Sequence, residues 1–151
     1  MFILDGRTLS PDMPFEHDGI SYPANWLRLS SHQEREAIGI EDLPDPEPFD
    51  HRFYFGPNQP RDHAQLVEAW VLETRATANS ILSASDWLVV REIDNGTAVP
   101  QDWRTWREAI RSATSTKCES IRETTDTDEL AAYINGADYG AWPADPSVPV
   151  G

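Results

Sequence analysis

The residues of this sequence that could do chemistry are its histidines, its one cysteine and its many carboxylates. His32 begins a run that lacks the two-histidine face of a helical zinc site, because Glu36 stands where the second histidine would be needed. His51 and His63 flank an aromatic segment and are expected to lie at surface turns. Cys118 has no histidine near it in the sequence, so it is expected to be an incidental or buried thiol.

Other patterns of catalytic and nucleotide-binding proteins are also missing. Gly56 and Gly96 are isolated turn glycines and form no glycine-rich phosphate loop. No serine lies in a Gly-x-Ser-x-Gly turn. Neighbouring carboxylates, as at 41–42 and 128–129, are expected by chance in a chain with 26 acidic residues. The sequence therefore predicts no enzyme, with no catalytic residue, no cofactor and no metal site.

The charge balance limits the possible partners. The chain carries 26 acidic residues against 12 lysines and arginines, a formal net charge of −14. Such a surface repels phosphate backbones, so nucleic acid and anionic membranes are poor partners. A single cysteine cannot form an internal disulfide. No signal peptide and no apolar run of about 18 residues is recognisable, so a soluble protein is expected.

The N-terminal third contains turn and cap signals that predict small structural elements. The Asp-Gly pairs at 5–6 and 18–19 lie between apolar residues and predict β-hairpins. A Ser-x-x-Glu capping box at 31–34 predicts a short helix over 31–38. Acids and prolines then dominate 41–50, which predicts an extended linker.

The remainder of the chain has mainly helical periodicity. Apolar residues recur at helical spacing over 62–83 and again over 101–124, which predicts two antiparallel helices joined by a long loop. A short helix is predicted from Asp126 to Gly136. The sequence thus predicts an α+β protein with three regions: a β-rich docking module with its linker (1–56), a helical hairpin region (57–136) and a proline-rich tail (137–151).

Six tryptophans in 151 residues are the most informative side chains. Tryptophan fills small cores, and it is also enriched among the residues that dominate binding energy at protein interfaces. A core position is favoured for most of them. Trp26 and Trp142 are the better interface candidates, because they lie in less regular segments.

Two stretches resemble proteins of tailed bacteriophages. The segment 18–29, with its Tyr-Pro-x-Asn-Trp run, and the aromatic segment 52–54 resemble a module of phage tail-fibre-region proteins. The second stretch joins Ser-Asp-Trp at 85–87 to a Trp-Arg-x-Trp-Arg helix at 103–107 and is similar to phage tail assembly chaperones. Leu88 departs from that pattern, which usually has a polar residue there. The Ser-Asp turn is expected to cap the chain, with Trp87 packed back between the helices.

The resemblance implies a chaperone-like tail-fibre assembly factor that binds a phage tail-fibre or baseplate protein and helps it fold or trimerise. It would act in the host cytoplasm during assembly. The alternative is a structural virion component that stays at the tail fibre or baseplate as an adaptor and docks by strand addition. The predicted partner-binding residues are Tyr22, Trp26, Leu27, Phe53, Tyr54, Ser85, Asp86, Trp87, Trp103 and Trp106.

Overall fold

Short antiparallel strands come first in the chain and helices follow, which makes the protein a member of the α+β class. The computed structural model describes residues 1–147. It divides into two units, the first Met1–Pro48 and the second from Phe49 onward. The boundary precedes the predicted one at residue 56, because Phe53 is fully buried in the core of the second unit.

The strands of the first unit form two hairpins. Strand β1 (Phe2–Leu4) pairs with β2 (Arg7–Leu9), and β3 (Phe15–His17) pairs with β4 (Ile20–Tyr22). Each turn is an Asp-Gly pair with positive φ at both residues, 49° and 74° in the first turn and 51° and 75° in the second. This geometry matches the twist of the strands and favours glycine, so both predicted hairpins are confirmed.

Two short helices complete the first unit, α1 (Trp26–Leu29) and α2 (His32–Ala37). The predicted capping box is confirmed, since the backbone N–H of Glu34 donates to Ser31 Oγ at 3.3 Å and that of Ser31 donates to the Glu34 carboxylate at 2.7 Å. Helix α1 has no counterpart in the prediction. The small core beneath these elements consists of Leu4, Leu27 and Ile40.

The predicted linker is shorter than expected. Its first two residues form strand β5 (Glu41–Asp42), which pairs with the free side of β1. The backbone N–H of Leu43 then donates to the Met1 carbonyl at 3.0 Å. Regular structure is absent only over 43–50 within this stretch, where prolines lack the N–H that strand pairing needs.

The second unit begins with a small hairpin and continues as helices. Helices α3 (His63–Ser83) and α5 (Gln101–Glu123) are antiparallel. His63 Nε2 lies 2.9 Å from Thr124 Oγ1 at one end, and Arg107 Nη1 lies 3.0 Å from the Leu82 carbonyl at the other. The elements are β6 (Tyr54–Gly56), β7 (Gln59–Pro60), α3 (His63–Ser83), α4 (Asp86–Asn95), α5 (Gln101–Glu123), α6 (Thr127–Ile134) and α7 (Ala137–Gly140).

The prediction of a long loop between the two long helices is wrong, because helix α4 lies between them. Its residues include Val89 and Val90, whose β-branched side chains disfavour helix slightly. Burial of Leu88 against the rest of the unit outweighs that preference. The Asn-Gly pair interpreted as a break is the C-terminal cap, with Gly96 at φ 73°.

The start of the predicted tail is ordered against α5. Lys117, the only lysine, is 4 % exposed, and its ammonium donates to the carbonyls of Asp138 and Tyr139 at 2.6 and 2.8 Å. Burial lowers the pKa of Lys117. Further along, Trp106 Nε1 donates to the Pro143 carbonyl at 2.9 Å. Part of the tail prediction, residues 148–151, lies outside the described residues.

An ion pair at the start of the second unit generates a pH-dependent prediction. Asp50 accepts hydrogen bonds from the Arg52 side chain at 2.7 Å and from its backbone N–H at 3.0 Å, and these bonds lower the pKa of Asp50 from 3.8 to about 2. Arg52 also donates to Asn135 at 2.5 Å, which ties the segment to α6. A carboxyl group with a lowered pKa stabilises the fold above its unfolded-state pKa, and this contribution is lost as the pH falls through about 2.

We therefore expect Asp50→Asn to lower the melting temperature near neutral pH, with the difference from the unsubstituted protein shrinking as the pH falls from 3.8 toward 2. Thermal unfolding followed by circular dichroism across that range measures this difference. Asp94→Asn is the matched control, because Asp94 makes no ion pair within residues 1–147. A difference for Asp50→Asn that stays constant with pH would contradict the assignment.

Candidate protein-binding site

The connection between α3 and α4 is held by one arginine of α5. Arg107 Nη1 donates to Ser85 Oγ at 2.6 Å and to the Leu82 carbonyl at 3.0 Å, while Nη2 donates to the Asp86 carboxylate at 2.8 Å. Ser85 itself is fully buried and donates back to the Leu82 carbonyl at 3.0 Å. We call the set Ser85, Asp86 and Arg107 the Arg107 clasp.

The Arg107 clasp supplies hydrogen-bond acceptors to a guanidinium that is largely removed from water. Arg107 is 8 % exposed, and a buried guanidinium is costly unless its N–H groups are paired. The Ser-Asp turn supplies a hydroxyl, a carbonyl and a carboxylate at the required positions. One turn away, Arg104 pairs with Glu92 and so ties the middle of α4 to α5 as well. The position of α4 is therefore fixed by two arginines of the same helix.

Helix α4 has apolar side chains on two sides. Leu88 faces inward and is buried. Trp87, Val90 and Ile93, spaced three residues apart and therefore on one side of the helix, are 58, 62 and 82 % exposed. We call these three residues the outer face of α4. Large apolar side chains grouped on one exposed helix face are typical of a surface that binds another protein.

The expectation that Trp87 packs between the helices is wrong, because Trp87 belongs to the outer face. Its ring lies outside, with the Arg91 guanidinium carbon 5.0 Å from the ring centroid. Leu88 takes the inward position instead, which explains why an apolar residue follows the Ser-Asp-Trp segment here. Sequence reasoning could not choose between the two, because both residues are apolar and they are adjacent.

The predicted site residues of the first unit form an aromatic group of their own. Tyr22 and Trp26 are half-buried, with ring centroids 4.8 Å apart, and both contact Phe15. Leu27 is buried in the core of that unit, so it supports this surface from below and presents no side chain to a partner.

The remaining predicted residues lie in the second unit and are not brought to one surface. Phe53 is buried, and the Tyr54 hydroxyl donates to Asp128, a bond that raises the pKa of Tyr54 to about 12. Trp106 is buried and contacts the half-buried Trp103 edge to face. Of the ten residues, Asp86 and Trp87 are exposed at the clasp and the outer face. Val90, Ile93 and Arg107 were missed, although 87, 90 and 93 share helical spacing.

Different neighbours surround the residues of the second unit that first suggested chemistry. The His51 ring contacts Phe49 at 4.3 Å between centroids, whereas His63 bonds to Thr124. Cys118 is buried in the core. Within residues 1–147, no three His, Cys, Asp or Glu side chains are grouped so that they could hold a metal ion.

Comparison with protein-family models, with curated proteins and with solved structures finds no match for the chain. Over residues 1–147, none of the helices combines the length and the apolar character that crossing a membrane requires.

The exposure of the two tryptophans predicts opposite effects of truncation. Trp87→Ala should change the free energy of unfolding by less than about 1 kcal/mol, because the ring is mostly in solvent. Trp106→Ala should cost about 3 to 5 kcal/mol, since it leaves a cavity and removes the bond to Pro143. Urea unfolding of both variants measures the difference. Similar costs for the two would mean that Trp87 is buried.

The clasp is tested by Arg107→Met, which keeps an unbranched side chain but removes the charge and all three hydrogen bonds. We expect a loss of about 2 to 4 kcal/mol, because hydrogen bonds to a charged group contribute more than neutral ones. Arg111→Met, one turn along on the exposed side of α5, is the control and should stay within about 0.5 kcal/mol. Chemical denaturation gives both values, and equal losses would argue against the clasp.

Proposed function

We propose that the chain is a phage tail-fibre assembly factor: a chaperone-like protein, not an enzyme, that binds a tail-fibre or tail protein. The observation that carries this proposal is the outer face of α4, three exposed apolar residues on a helix whose start is fixed by a buried arginine. The Ser-Asp-Trp and Trp-Arg segments that resemble tail assembly chaperones supply this arrangement. Ser85, Asp86 and Arg107 form the clasp, while Trp87 lies on the outer face.

The geometry supports binding rather than chemistry. A helix held at two points by Arg107 and Arg104 presents its outer face without a large ordering cost on association. Rigid aromatic and aliphatic anchors of this kind dominate binding energy at interfaces. The net charge of −14 adds colloidal solubility, which a factor that holds an incompletely assembled β-rich fibre protein would need.

The proposal predicts a binding loss when the outer face becomes charged. Ile93→Glu should fold normally, because the side chain is 82 % exposed, and should weaken binding to the co-expressed tail-fibre subunit by about tenfold or more. The yield of soluble, trimeric fibre measured by size-exclusion chromatography with light scattering should fall in parallel. Leu72→Glu on α3 is the matched control, since Leu72 is also an exposed apolar residue on a helix.

Two outcomes would change the proposal. A fibre subunit that reaches the same soluble yield without this chain would contradict an assembly role. Mass spectrometry of purified mature particles then separates the two versions of the function, because a transient chaperone leaves the particle. Stoichiometric recovery of the chain would instead support the adaptor that remains at the fibre or baseplate.

A further inference from the structure

Beside the outer face of α4 lies an arginine that the fold leaves without a carboxylate. Arg91 Nε is buried and has no hydrogen-bond partner among residues 1–147, and no carboxylate oxygen lies within 4 Å of the guanidinium. Its contact is with the face of the Trp87 ring. Nε itself is out of a partner's reach, because it is buried. The terminal N–H groups of Arg91 are not among the buried unbonded atoms of residues 1–147, and the side chain is only half-buried, so these terminal groups are open to an acceptor from outside.

None of the other charged side chains of α4 forms an ion pair with Arg91 in the described part of the chain. Asp86 is bound by Arg107, and Glu92 is bound by Arg104. Asp94 follows on the same helix but forms no ion pair with Arg91. Arg91 is therefore a cation with no ion pair in the described part of the chain, and it lies beside an apolar surface.

We propose that the outer face of α4 takes an apolar segment of a partner protein that carries a carboxylate, and that this carboxylate pairs with Arg91. The inference rests on the proposed role of α4 as a protein-binding face and names the chemistry of its partner. A guanidinium stacked on an aromatic ring keeps its N–H edge free, and that edge matches a carboxylate in a two-point hydrogen bond.

Charge and polarity together favour a protein segment over other anions. The apolar side chains of Val90 and Ile93 would gain no favourable contact with a phosphate polymer. The net charge of −14 also repels such a polymer over its whole length. One carboxylate within an apolar segment meets little of that repulsion, because exposed charges beyond about 8 Å are screened at physiological salt. The occupant is therefore a partner surface with apolar side chains and an Asp or Glu beside them.

The test uses a random linear peptide library selected on the intact chain. Binders are counter-selected against Ile93→Glu, so that only peptides that depend on the outer face are kept. We expect these peptides to combine apolar residues with an Asp or Glu at a fixed spacing. Their affinity should fall about tenfold for Arg91→Gln. It should be unchanged for the control Arg75→Gln, an exposed arginine of α3 that likewise makes no ion pair with the residues described.

A double-mutant cycle completes the test. Replacing the peptide's acid by its amide should weaken binding to the unsubstituted chain, yet cause no further loss for Arg91→Gln. The inference is overturned by peptides without acids, by equal affinity for Arg91→Gln, or by a selection that yields no peptide dependent on the outer face. Failure of the fibre subunit to bind while acidic peptides do so would remove only the fibre assignment and leave the Arg91 site standing.

Discussion

The buried guanidinium of Arg107 is the interaction on which the arrangement of the second unit's helices depends. A charge in that position must find acceptors, and within residues 1–147 its hydrogen bonds go to the carbonyl, hydroxyl and carboxylate at the junction of α3 and α4. That requirement fixes how the chain turns after α3. The direction of α4 follows from the turn, and with it the choice of which apolar side chains meet the core and which meet water.

One side of helix α4 consequently packs against the core, and the other side is exposed and available for association. Leu88 contributes to folding, whereas Trp87, Val90 and Ile93 gain nothing from it. Exposed apolar faces of this kind are unfavourable in water, and in many proteins they mark sites of association. The Ser-Asp-Trp segment is thus divided: its first two residues hold the helix, and its third belongs to the surface.

The features that could be predicted from the sequence are those that depend on residues close together in the chain. The Asp-Gly turns, the capping box at Ser31 and the N-cap at Asp126 depend on residues only a few positions apart, so they could be predicted from the sequence. The Arg107 clasp and the outer face of α4 could not be predicted in that way. Arg107 meets Ser85 across 22 positions, and two adjacent apolar residues gave no indication of which one faces inward. The α+β class was predictable because hairpin signals precede helical periodicity; the α4 helix was not, since tertiary contact outweighs weak propensity there.

Lys117 has a practical consequence for anyone who studies this chain with its partners. It is the only lysine in the sequence, and it lies inside, with its ammonium bonded to two backbone carbonyls. Reagents that attack side-chain amines will therefore leave the folded chain almost unmodified. In a complex, lysine-directed labels and cross-links will therefore report on the partner's surface and, on this chain, on the Met1 α-amine, while carboxylate-directed coupling will report on this chain.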